Sequence, residues 1–270
     1  LDGKVLGLIF SKASTRTRVS FTVAMARLGG QTIDLNPSVS QVGRGEPIKD
    51  TARVLSRYLN AVAIRTFAQS DLQAYADAAS IPIINALTDL EHPCQALADY
   101  LTMQEAFGSL EGLTMTYVGD GNNVAHSLLI AGALLGVNVR IGCPAGFYPL
   151  ERVVAQAKAI AAGRSEIVIS EDPAEAVRGA HAVYTDVWAS MGQEEEQSTR
   201  VQAFRGFCVD ESLMRHADAK AIVLHCLPAH RGEEISAEVM ESSASRIFDQ
   251  AENRLHAQQA LLATLLGTEG

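Results

Sequence analysis

From one end to the other, short apolar runs of strand length alternate with segments whose apolar residues recur at helical spacing. Strand-like runs fall at 5–10, 31–35, 61–66, 82–86, 113–119, 137–143, 166–170, 182–187 and 221–227. Helical periodicity predicts helices over 15–28, 48–59, 70–79, 93–107, 124–135, 150–162, 173–178 and 250–266. Neighbouring strands joined through a helix run parallel, because the helix carries the chain back to the starting edge. The runs are continuously apolar rather than alternating, as strands covered on both faces require. The expected fold is therefore α/β, with mainly parallel sheets covered by helices.

A seam is expected at Gly108-Ser109-Leu110-Glu111-Gly112, which follows a long helix and restarts the strand–helix rhythm. It divides the chain into domains 1–108 and 109–249, with the helix 250–266 expected to pack back on the first. Two such halves would place the active site in a cleft between them, faced by loops at the strand carboxyl ends.

Bulk chemistry narrows the partners. The net charge is −9, from 22 basic and 31 acidic residues, and no basic stretch spans a face, which argues against nucleic acid. No apolar run approaches the roughly 18 residues of a membrane span. Cys94, Cys143, Cys208 and Cys226 lie far apart with no C-x-x-C pair, so reduced thiols in a cytosol-like compartment are expected. The sequence opens on strand-like residues without Met, so an N-terminal piece is expected to be missing or processed away.

Polar clusters gather where strands end. Ser14-Thr15-Arg16-Thr17-Arg18 falls between the first strand and the first helix. A helix start offers unpaired N–H groups and partial positive charge, and here it also brings three hydroxyls and two guanidiniums, a combination suited to phosphate. The bland alternative is an ordinary Ser cap beside solvated arginines. Arg65 ends an apolar strand, where a guanidinium suits polarising a carbonyl or phosphoryl oxygen. His92 and Gln95 open a helix around Pro93, although a lone His is more often structural.

Gly119-Asp120-Gly121-Asn122-Asn123-Val124 is glycine-rich between strand and helix, like a dinucleotide turn. Val124 replaces the third glycine and no acidic residue ends the next strand, so NAD is not expected. The turn presents Asn123, whose amide can bind a carboxylate or carbonyl. Asp186 closes a strand and suits an ammonium partner, while the Glu194-Glu195-Glu196 run beyond it reads as solvated. His225-Cys226-Leu227-Pro228 ends another apolar strand. Zinc is a rival for His225, Cys226 and His230, but their spacing matches no metal motif, and no metal is expected.

Together, Ser14-Thr15-Arg16-Thr17-Arg18, His92-Pro93-Cys94-Gln95, the segment Asp186 to Gly192 and His225-Cys226-Leu227-Pro228 resemble the transcarbamylase family. The Ser190-Met191-Gly192 loop and the His-Cys-Leu-Pro segment are similar to its ornithine-using members, in the same order along nearly the whole chain. The resemblance implies carbamoyl transfer from carbamoyl phosphate to the δ-amine of L-ornithine, giving L-citrulline and phosphate, with no cofactor. It makes domain 1–108 the carbamoyl-phosphate domain and 109–249 the ornithine domain.

By the same resemblance, Ser14, Thr15, Arg16 and Thr17 hold the phosphate, while Arg65, His92 and Gln95 contact the carbonyl and amide end. Gln41 reaches a neighbouring subunit's phosphate, and Arg254 is a second arginine near the donor. Asn123, Asp186, Ser190 and Met191 form the ornithine site, with Cys226 and Leu227 in the carbamoyl and amine region. The catalytic set is Arg65, His92, Asp186 and Cys226. A homotrimer, or a multiple of trimers, is implied, in arginine metabolism and in the cytoplasm (the mitochondrial matrix in a eukaryote). The sequence departs from the family in lacking the usual further N-terminal helical stretch and in having Ala13 where proline is common. Three rivals stand beside this reading: a transferase for another amine such as putrescine, an NAD-linked oxidoreductase, and a catalytically silent binding subunit.

Overall fold

The structure, a computed structural model, describes residues 1–36, 45–189 and 197–267. The chain divides into two compact units, Leu1–Cys94 with Glu252–Gly270, and Gln95–Ala251.

The first unit holds a four-stranded parallel sheet in the order β2-β1-β3-β4, from β1 (Val5–Phe10), β2 (Gln31–Asp34), β3 (Ala61–Arg65) and β4 (Ile83–Leu87). Successive strand residues point to opposite faces, and both faces are apolar. Leu6, Leu8, Phe10, Ala61 and Ala63 pack with Phe21, Ala24 and Met25 of α1 (Thr15–Arg27) and Leu262 and Leu266 of α11 (Ile247–Leu266). Ile9, Val62 and Ile64 face the other way, onto Ala52 of α2 (Ile48–Tyr58) and Leu72 and Tyr75 of α3 (Gln69–Ala78).

The second unit holds five parallel strands in the order β7-β6-β5-β8-β9: β5 (Thr114–Val118), β6 (Asn138–Gly142), β7 (Ile167–Ser170), β8 (Ala182–Thr185) and β9 (Ile222–His225). Met115, Tyr117, Ala182, Tyr184, Ile222 and Leu224 pack on one face with α5 (Asn123–Leu135) and α6 (Glu151–Ala161). Val118, Val183 and Val223 face the opposite layer, which includes Val177 of α7 (Pro173–Val177).

Each of the nine expected strands has a counterpart, with ends shifted by a few residues. Three short helices were not legible: α8 (Gln197–Ala203), α9 (Glu211–Met214) and α10 (Ala237–Met240). They are too short to show a helical period. Side-chain caps and burial hold α9 and α10 instead: Asp210 and Ser236 each accept a backbone N–H, and Leu213, Val239 and Met240 enter the core.

Strand order decides where polar side chains can meet. From β1 the chain moves to one side for β2 and to the other for β3, so the carboxyl ends of β1 and β3 diverge into opposite crossovers. In the second unit the same switch falls between β5 and β8. Such points leave room for ligands.

Candidate active site

In the first unit, the segment after β1 becomes α1 at Ser14, whose extended backbone and Oγ cap the helix by accepting the Thr17 N–H at 3.3 Å. Thr15 and Arg16 stand exposed on the first turn, whereas Thr17 is buried. Arg18 is not part of this cluster: it pairs with Asp34 and lies over the Phe10 ring. Across the switch point, Arg65 pairs in register with Phe10 at the end of β3 and is buried. Arg254, on α11, donates from Nη2 to Thr17 Oγ1 at 3.0 Å.

His92 follows β4 and immediately precedes α4 (Pro93–Phe107), buried to 6% exposure. Burial, and then the charges of Arg254, Arg65 and Arg16, hold its pKa well below the ordinary 6.5. The imidazole is therefore neutral at pH 7 among guanidiniums. Cations on a phosphate-ready helix start, with a neutral ring beside them, suit a small anion that also carries a carbonyl oxygen.

In the second unit, the register of β8 with β9 pairs Thr185 with His225, so the next residues, Asp186 and Cys226, emerge side by side. Asp186 is buried, and its Oδ1 accepts from Cys226 Sγ at 3.0 Å and from the Val187 N–H at 2.8 Å. Its Oδ2 accepts from Asn122 Nδ2 at 3.1 Å, across the β5/β8 switch point. Asn122 in turn caps α5, its Oδ1 accepting from Val124 and Ala125 at 2.9 and 3.2 Å. Burial and the Asp186 charge push the Cys226 thiol well above its ordinary 9.0. It is a neutral thiol and not a nucleophilic thiolate.

His225 is committed through both ring nitrogens. Nδ1 accepts the Leu227 N–H at 2.8 Å, so the proton sits on Nε2, which faces Glu234 Oε1 at 3.0 Å. Leu227 is held with φ +58, a left-handed backbone that a leucine rarely adopts. The His225 backbone N–H donates to Gln250 Oε1 at 2.9 Å, and Gln250 Nε2 donates to Asp99 Oδ1 at 2.6 Å. Gln95, in the first turn of α4, donates from Nε2 to the same Asp99 oxygen at 2.7 Å.

Thus the first unit gathers Ser14, Thr15, Arg16, Thr17, Arg65, His92 and Arg254, whereas Gln95 belongs to the second unit with Asp186, Cys226, Leu227 and Asn123. Asn123 is the first residue of α5 and half-buried. Gln41, Ser190 and Met191 lie outside the described residues. Sequence reasoning missed Asn122, the actual partner of Asp186; its position just before the helix was the available signal. It also missed Asp99, Gln250 and Glu234, and the buried Arg200, which pairs with Asp120 at 2.7 Å and donates to the Trp188 carbonyl at 2.9 Å. Asp186, His225 and Cys226 bring ligand-type atoms within 4.8 Å of one another. A cation there would have to displace the hydrogen bonds that already occupy both His225 nitrogens and both Asp186 oxygens.

Two parallel α/β units, one built around an anion cradle and the other around a buried carboxylate, define a group-transfer protein. The chain belongs to the aspartate/ornithine carbamoyltransferase family: the family's carbamoyl-P binding domain matches residues 1–105, and its Asp/Orn binding domain matches 111–265. It is similar to the ornithine carbamoyltransferase of Parasynechococcus marenigrum, 73% identical over 99% of this chain and 84% of the relative. Among solved structures it is similar to the Pyrococcus furiosus ornithine carbamoyltransferase, with TM-score 0.96 and 51% identity over 100% of this chain and 87% of that one. The Gloeobacter violaceus ornithine carbamoyltransferase is similar at TM-score 0.90 and 57% identity, over 98% and 87% of the two chains. These relationships favour the carbamoyltransferase reading over the NAD-linked oxidoreductase rival.

Proposed function

We propose that this chain transfers the carbamoyl group from carbamoyl phosphate to the δ-amine of L-ornithine, releasing L-citrulline and phosphate. The observation that carries the reading is neutral His92 among Arg16, Arg65 and Arg254, beside a Ser-capped helix start. Relatives 65–73% identical that carry the name ornithine carbamoyltransferase support ornithine over putrescine as acceptor.

The δ-amine, entering as the free base, attacks the carbamoyl carbon. The bond from that carbon to the bridging phosphate oxygen breaks with its electron pair leaving on phosphate, and the proton shed by the nitrogen passes to the departing phosphate or to solvent. Negative charge develops first on the carbamoyl oxygen and then on the departing phosphate. Arg65 and the His92 imidazole are assigned to the oxygen, where fixed donors act without reorganising. The α1 start, with Ser14, Thr15, Arg16, Thr17 and Arg254, is assigned to the phosphate. Asp186 is assigned to the acceptor's α-ammonium with Ser190, and Asn123 with Met191 to its α-carboxylate. Cys226, held as a thiol, is a hydrogen-bonding neighbour of the amine and not a covalent relay.

Assembly as a homotrimer, with Gln41 serving a neighbour's donor site, is part of the proposal, as are a role in arginine metabolism and a cytoplasmic location. Among the described residues no helix is long and apolar enough to cross a membrane. Citrulline formation measured across ornithine, putrescine and aspartate as acceptors tests the reading. Ornithine is expected to give the highest kcat/KM, and a flat profile or a preference for putrescine would refute it.

A further inference from the structure

The turn between β5 and α5 carries two adjacent asparagines in different roles. Asn122 Oδ1 accepts the backbone N–H groups of Val124 and Ala125 at 2.9 and 3.2 Å, with the Tyr117 hydroxyl at 3.4 Å. A backbone N–H can only donate, so the amide oxygen must lie on the helix side. Nδ2 is thereby turned to Asp186 Oδ2, 3.1 Å away. On Asp186, Oδ1 already accepts twice, from Cys226 Sγ and the Val187 N–H, whereas Oδ2 accepts from Asn122. A carboxylate oxygen has about two acceptor positions, so among the described residues one is left, on Oδ2 beside the Asn122 amide. Asp186 is buried, so little water competes for it.

We propose that Asn122 is a positioning residue for the acceptor: it fixes the plane of the Asp186 carboxylate so that the remaining position on Oδ2 receives the acceptor's α-ammonium. This rests on the reading above that Asp186 pairs with that ammonium. Cys226 and Val187 hold Oδ1, and Asn122 holds Oδ2, so the carboxylate is pinned at both ends against rotation about its Cβ–Cγ bond. Without the Asn122 N–H the Oδ2 end is free to swing, and a misplacement of about 1 Å in a positioned site can cost ~100-fold. The helix secures the device in turn, because the first turn of α5 holds the Asn122 oxygen. One residue therefore caps the helix and aims the carboxylate, which leaves Asn123, the first residue of α5, for the α-carboxylate.

Ser and Asp cap a helix about as well as Asn, so two substitutions separate capping from positioning. Asn122→Ser keeps a capping oxygen but is too short to reach Asp186. Asn122→Asp keeps the cap and the shape but sets a carboxylate oxygen against Oδ2. In steady-state kinetics on the full chain, the KM for ornithine is expected to rise roughly tenfold or more in Asn122→Ser, and further in Asn122→Asp. The KM for carbamoyl phosphate should stay at the parental value, and urea unfolding should leave Asn122→Ser close to the parent. A residue that only capped the helix would leave the ornithine KM unmoved, so a parental value in Asn122→Ser overturns the proposal. Should that variant not fold, a parental value in Asn122→Asp does the same. An equal rise for the two substrates also overturns it, since the whole turn would then have moved. If Asp186→Asn leaves the ornithine KM unchanged, the acceptor reading itself fails, whatever Asn122 does. A crystal structure of the unaltered protein with ornithine bound reads the geometry directly. The α-nitrogen is expected on Oδ2 of Asp186, and an α-nitrogen found on Oδ1 overturns the assignment.

Discussion

Arg254 donates to Thr17 across 237 residues of sequence, tying the C-terminal helix to the first turn of the helix that opens the anion cradle. The contact is buried, so it fixes both the hydroxyl and the guanidinium. Arg254→Met is expected to weaken carbamoyl phosphate binding by at least ~2 kcal/mol, the scale for deleting one buried charged partner. His92 should respond too. Arg254 is the leading electrostatic cause of its lowered pKa, so the variant's ring should titrate higher while still held below 6.5 by burial. Calorimetry and histidine NMR read the two effects, and an unchanged donor affinity would remove Arg254 from the site.

His92 also links folding to pH. Its folded pKa lies well below the unfolded 6.5, so between those values the unfolded chain binds the extra proton. Stability contributed by the neutral ring is full above pH 6.5 and is lost as pH falls below it. The slope should approach about 1.4 kcal/mol per pH unit for this one group. His92→Gln keeps a polar side chain without the titration. Urea unfolding from pH 7 to 5 should show a shallower decline for the variant, and parallel curves would mean that His92 is not buried as a neutral ring.

What the sequence disclosed, and what it withheld, follows from the range of each interaction. Most strands were legible because they are local apolar runs, the polar, largely exposed edge strand β2 being the exception, and Ser14, Arg65 and Asp186 were legible because they stand at the ends of such runs. Asn122 was passed over for its neighbour Asn123, since the two amides look alike until the cap geometry assigns one of them to the helix start and to Asp186. Asp99 and Gln250 sit at helical positions that read as ordinary polar faces. Only the packing that excludes water from them makes the pattern of their hydrogen bonds consequential. Glu234 is similar: it is one of two adjacent glutamates in a loop, and nothing local says that it faces His225.

Gly121 is the tightest backbone approach in the second unit's turn. A Cβ built there would lie 2.1 Å from Pro149 N and 2.3 Å from Tyr148 C, both backbone atoms that no side-chain rotation can clear. The clash has to be relieved by a backbone shift of the Tyr148–Pro149 segment or of the turn itself, which carries Asn122 and, through it, the hydrogen bond to Asp186. Gly121→Ala is expected to cost about 1–3 kcal/mol in stability, as overpacking does. Acceptor KM should rise with it, while donor affinity should hold, because the cradle residues belong to the first unit. Chemical denaturation and steady-state kinetics check the pair, and a variant with parental stability and acceptor KM would show that the turn yields freely.

Asp186 carries the sharpest test of the acceptor assignment. Its two oxygens accept from two sets of donors: Cys226 and the Val187 N–H on one, Asn122 Nδ2 on the other. Asp186→Asn has one oxygen and one –NH2, so in either orientation a donor faces a donor, at about 1–3 kcal/mol of stability. The larger effect should fall on catalysis. If the carboxylate pairs with the α-ammonium of ornithine, removing its charge leaves a buried cation uncompensated, and kcat/KM for ornithine should drop by two orders of magnitude or more. Carbamoyl phosphate affinity should stay within a few fold of the parent, which separates this effect from collapse of the fold. Butylamine, which is ornithine without its α-ammonium and α-carboxylate, should be a poor acceptor for the parent and should lose less than ornithine in the variant. A proportionate loss for the two amines would mean that Asp186 acts on the reacting amine they share and not on the α-ammonium.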